Sequence, residues 1–133
     1  MNSDFRLAYL ITACLTMAFV ADLCGQTDIR KQLQTQFIMA EDGDTIRIPE
    51  GNYTSSGTIS MDGKKRIVIK GDGMNKTILS FKGQSEGAEG ILITHSSDIS
   101  IVGLTVEDAK GDGIKVKDTD GIAFREHIIC VID

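Results

Sequence analysis

The chain has 133 residues, a formal net charge of -5, no Trp, 14 Gly and a single Pro. That length supports one modest domain and no more. The mild acidity argues against nucleic acid as a partner, because displacing its counterions takes a basic stripe. A hydrophobic fraction of 41% argues against a disordered chain.

Arg6 precedes an apolar run from Leu7 to Ala21. About 15 residues of helix span roughly 22 Å, short of the ~30 Å hydrocarbon core, so no stable membrane span is expected. A positive start, an apolar centre and small residues near Cys24-Gly25 fit a secretory signal over residues 1–25, cut before Gln26. That places the protein outside the cytoplasm: secreted, periplasmic or at the cell surface. Ile11-Thr12-Ala13-Cys14 also fits a lipid-anchor site at Cys14. With Cys14 and Cys24 in the leader, Cys130 is left alone and no internal disulfide can form.

Residues 26–41 are expected to form an amphipathic helix. Ile29, Leu33, Phe37 and Ala40 fall on one stripe, while Arg30, Lys31, Gln34 and Gln36 face elsewhere. Thr27 is placed as its N-cap, with Asp28 at the positive end of the dipole. From residue 42 the pattern changes to short alternating runs with Gly, Asp, Ser and Asn at the corners. Ile46 and Ile48 point one way, and Thr45 and Arg47 the other. Gly57–Met61, Arg66–Lys70 and Ile78–Phe81 follow as strands, and the polar stretch from Lys82 to Glu89 reads as a protruding loop. Then Gly90-Ile91-Leu92-Ile93 returns as Gly113-Ile114-Lys115-Val116, and Ile99 as Ile122, each 23 positions on.

Strands recurring at such an interval are the mark of a solenoid whose rungs stack along one axis. The expected fold is therefore all-β, a right-handed parallel β-helix of about three rungs over residues 42–133. The helix caps its open first rung. The apolar run from Ile128 to Asp133 carries no polar cap, which leads to the expectation of a truncated gene product. Self-association through an open C-terminal rung is the other reading.

Several of these stretches resemble secreted proteins of the pectin lyase fold: pectate lyase-like, pectin esterase-like and chondroitinase B-like enzymes. The resemblance rests on Gly43-Asp44-Thr45-Ile46 through Ile48-Pro49-Glu50-Gly51-Asn52-Tyr53, and on Ile67-Val68-Ile69-Lys70-Gly71-Asp72-Gly73 with Thr77-Ile78 beyond it. It extends over Asp98–Val106 and Gly111–Val116 and fades after Arg125. It implies a secreted β-helix that binds or processes polysaccharide, with Arg47, Lys65 and Lys115 as the candidate contacts to an acidic polymer. In those enzymes the catalytic residues lie on later rungs, so none carries over and no catalysis is expected of this chain. A structural surface module, or the first part of a polysaccharide lyase or hydrolase, are the alternatives.

Asp108, Asp112 and Asp118, with Glu107 and Asp120 nearby, are carboxylates at rung corners that could supply oxygen ligands to Ca²⁺. Asp is equally a corner residue because its side chain hydrogen-bonds the turn backbone. No other cofactor is implied. Arg125, Glu126 and His127 lack a placed nucleophile, and His95 reads as a solvated turn residue. Gly71–Thr77 lacks the Gly-Lys-Ser/Thr ending and the following helix of a phosphate loop, so it reads as a corner. Asn52 and Asn75 begin glycosylation sequons.

Overall fold

A computed structural model of the chain describes residues 28–130, with side chains through Glu126. The expected signal segment, the Cys14 anchor, the Thr27 cap, the side chains of His127 and Cys130, and residues 131–133 lie outside the described residues.

One helix, α1 (Arg30–Met39), precedes nine strands: β1 (Thr45–Ile48), β2 (Gly51–Thr54), β3 (Gly57–Asp62), β4 (Val68–Gly71), β5 (Thr77–Ser80), β6 (Glu86–Thr94), β7 (Ser97–Glu107), β8 (Ile114–Lys117) and β9 (Asp120–Cys130). All the strand pairs are parallel, and they wind into a β-solenoid of about three turns. The expected β-helix with a helix before its first strand is the architecture found.

The solenoid has three faces. β1, β4 and the first halves of β7 and β9 stack on the first; β2, β5 and the second halves of β7 and β9 on the second; β3, β6 and β8 on the third. β7 and β9 cross from the first face to the second without interruption. Each bends at one residue in the left-handed region, Gly103 (φ +64°) and Glu126 (φ +48°). Glycine adopts this conformation freely, and it turns the strand sharply without a loop.

Thr45 pairs with Val68, Ile91 with Ile114 and Ser97 with Asp120, so the undisturbed period is 23 residues. The second turn is longer, and Val68 pairs with Ser100, 32 positions on. Part of the excess is the corner Asp72–Lys76. The rest sits in the Lys82–Glu89 segment, and here the structure corrects the expectation of a loop. β6 already begins at Glu86 opposite Gly57, and the register shifts before Ile59 meets Ile91, which makes a bulge. Gln84 is only 2% exposed, and its amide nitrogen lies 2.8 Å from the Glu89 carbonyl, 3.1 Å from that of Glu86 and 3.2 Å from Thr58 Oγ. A buried amide with these partners holds the insertion against the stack.

Alternate side chains point inward and form columns: Ile46, Ile69 and Ile101; Ile59, Ile91 and Ile114; Met61, Ile93 and Val116. The early members of each column are almost fully buried, and Val116, on the last described rung of its face, is 36% exposed.

At the other end α1 buries the predicted stripe of Ile29, Leu33, Phe37 and Ala40. Its start differs in detail from the expectation: Ile29 is the cap residue without a side-chain bond, and the Asp28 carboxylate accepts the Arg30 N–H at 3.0 Å. That bond is the main reason the Asp28 carboxyl is held below its ordinary pKa. The Gln34 amide donates to the Ser60 carbonyl and accepts the Ser60 N–H, both at 2.8 Å. One side chain thus supplies the bonds that a neighbouring strand would give to β3. Lys64 Nζ donates to the carbonyls of Ile38 and Ala40 at the helix C-terminus, each at 2.8 Å.

Candidate functional site

The outward side of the first face carries a column of its own. Arg47 pairs in register with Lys70, Lys70 with Val102, and Val102 with Arg125. Each follows an inward member of the neighbouring column, Ile46, Ile69, Ile101 and Phe124, so period-2 geometry turns it to solvent. Arg47, Lys70 and Arg125 are exposed and Val102 is half-buried. Adjacent strands lie about 4.8 Å apart, so cations stand on the first, second and fourth steps of a straight row across the strands. The parallel outward column of Thr45, Val68, Ser100 and Ala123 is uncharged. One carboxylate approaches from the corner after β4: Asp72 Oδ1 lies 3.3 Å from an Arg47 guanidinium nitrogen. Its other oxygen accepts the Glu50 N–H at 2.9 Å. A groove of about 260 Å³ between the end of α1 and β1, lined by Gln36, Met39, Asp44, Thr45 and Arg47, opens at the Arg47 end of the row.

The three cations singled out in the sequence do not come together. Arg47 belongs to this row. Lys65 forms an isolated bridge with Ser97 in the corner between the third and first faces. Lys115 lies outward on the third face, its Nζ 3.1 Å from a Glu89 carboxylate oxygen and 3.3 Å from one of Asp112. The Lys115 bond is the main cause that holds Glu89 below the usual carboxylate range, and Glu89 in turn pulls Lys115 up. Lys70 is not among the contacts expected from the sequence, where Arg125 figures only beside Glu126 and His127 without a placed nucleophile. Aligning the residue after each inward member of this column, Ile46, Ile69, Ile101 and Phe124, finds both.

The three aspartates are also dispersed. Asp108 (φ +59°) accepts a bond from Ser80 Oγ at 3.1 Å, Asp112 faces Lys115, and Asp118 (φ +48°) lies at the next corner. Among the described residues no three His, Cys, Asp or Glu side chains are placed to hold a metal ion. Asp108 and Asp118 do the local work of turn residues in left-handed conformations.

The corner between the third and first faces gathers titratable groups that the sequence reading had treated singly. Gly63, His95 and Asp118 occupy equivalent positions there, all with positive φ. His95 Nδ1 is 2.8 Å from Asp62 Oδ1, which also accepts Thr94 Oγ at 2.6 Å, and His95 Nε2 is 3.8 Å from Asp118 Oδ2. The Asp62 hydrogen bond is the largest cause that raises His95; the Thr94 hydroxyl, then His95, lowers Asp62. His95 is exposed, as expected, but it is held between two carboxylates.

Among the described residues no helix is long and apolar enough to cross a membrane. Compared with known proteins, the chain matches no family model, no curated protein and no solved structure.

Proposed function

We propose that the protein is an exported β-solenoid that binds an acidic polysaccharide along the outward side of its first face. The observation that carries this reading is the in-register row Arg47, Lys70, Val102, Arg125. A parallel solenoid is straight on the scale of a few sugars, and an extended pyranose chain advances by about one strand spacing per unit. A polymer with regularly spaced carboxylates therefore meets cations in step. The likeness of the corner motifs to pectin lyase-fold proteins points to the same ligand class, and the apolar run after Arg6 supports export.

The test is affinity electrophoresis or calorimetry of the full chain with polyuronate and with a neutral glucan. Lys70→Glu combined with Arg125→Glu should weaken polyuronate binding tenfold or more, about 1.4 kcal/mol, and leave the thermal midpoint unchanged. Wild-type binding should fall steeply with salt. Equal retention on the neutral glucan, or binding indifferent to the double reversal, overturns the reading.

A further inference from the structure

The row is not uniform, and its interruption has chemical meaning. Resting on the polysaccharide reading, we infer that Val102 makes the third step of a four-unit site selective for an uncharged sugar, so that the preferred ligand skips one anionic group. The structure sets this pattern by register alone, since Val102 lies between Lys70 on one strand and Arg125 on the other. Its neighbours across the outward surface are Ser100 and, one strand away, Val68 and Ala123, none of them charged. A carboxylate seated over Val102 loses part of its water against methyl groups and gains no direct hydrogen-bond donor beneath it. A methyl ester, or a neutral sugar presenting its C–H face, loses nothing and buries apolar area against the same methyls. The flanking Lys70 and Arg125 stand about 4.8 Å to either side, placed for the carboxylates of units two and four. The first step is attenuated rather than empty, because Asp72 lies 3.3 Å from Arg47 and competes for it.

The experiment uses the full chain and two probes: a fully ionised uronate tetramer, and the same tetramer with its third unit methyl-esterified. Wild type should bind the mono-ester severalfold more tightly than the tetra-acid. Val102→Lys, which completes the row of cations, should reverse that order, and Val102→Thr should leave the two probes within about twofold. If wild type prefers the tetra-acid by the same ratio as Val102→Lys, the assignment of the third step is overturned while the polysaccharide reading stands. If neither probe binds wild type and Lys70→Glu changes nothing, the failure belongs to the reading beneath it.

Discussion

On the first face two columns stand one residue apart and follow different rules. The inward column repeats isoleucine at Ile46, Ile69 and Ile101, at 6%, 0% and 1% exposure, before Phe124 ends it at 38% on the last described rung. The outward column varies: Arg47, Lys70, Val102, Arg125. Inside, each side chain is wedged between its counterparts above and below, so volume and shape are dictated by packing. Outside, packing dictates almost nothing, and the chain places a cation at three of four steps with no fold-level need for it. The difference separates what holds the solenoid up from what it presents to a partner. The sharpest way to break it is to truncate neighbours. Ile69→Ala should cost about 2–5 kcal/mol in urea denaturation, whereas Lys70→Ala should stay within about 0.5 kcal/mol yet weaken polyuronate binding. Comparable stability losses at 69 and 70 would mean that the two columns do not have separate roles.

A smaller effect sharpens the contrast between the regular turns and the enlarged one. The steps from β6 to β8 and from β7 to β9 close their ladders with backbone bonds at the plain period, while the bulge before β6 depends on the Gln84 side chain. Gln84→Ala leaves the carbonyls of Glu86 and Glu89 without that amide, at a cost of about 1–3 kcal/mol. The loss should be local: amide exchange should quicken at Glu86–Gly90 before it does in β4 or β7. Uniform acceleration across all three faces would show that the insertion is not a separately held piece.

The same contrast explains what was legible in the sequence. The α1 stripe could be read because a 3.6-residue period survives in one uninterrupted segment. The later rungs could be read because β6 to β8 and β7 to β9 keep a step of 23. The cation row could not, because Lys70 and Val102 are separated by 32 residues, including a bulge that no local pattern announces. Lys65 and Lys115 were chosen by charge without a face to put them on, and register sends them to a corner and to the third face. Net charge carries no information on placement: a total of -5 is compatible with a local row of three cations. Gly63, His95 and Asp118 share one backbone conformation that Gly, Asp and His each tolerate, but only register shows that the three stack. Asp is common at such corners for backbone reasons, so a count of carboxylates does not say which of them share a face.

The smallest effect concerns that corner, where the turns stay in step and the outward side chains are nonetheless specific. His95 is raised by its bond to Asp62, so its contribution is complete below the unfolded-state pKa and is lost as pH rises through the folded value. Asp62 is lowered, so its contribution is present above the unfolded carboxylate value and is lost as pH falls through the folded one. The contact is therefore strongest in the mildly acidic to neutral range between those limits. His95 and Asp62 are 68% and 69% exposed, so water and salt screen the pair and the unfolding free energy should scarcely register it. The sensitive readout is the imidazole itself. In an NMR titration His95 should lose its proton at a higher pH than a free histidine. Asp62→Asn should bring it back towards the ordinary value, and Asp118→Asn, 3.8 Å away, should move it less. An unmoved His95 in Asp62→Asn would dissolve the cluster into separate turn residues; a shift confined to that variant would show that stacked corners, like the outward row, bring together residues that the chain keeps 33 positions apart.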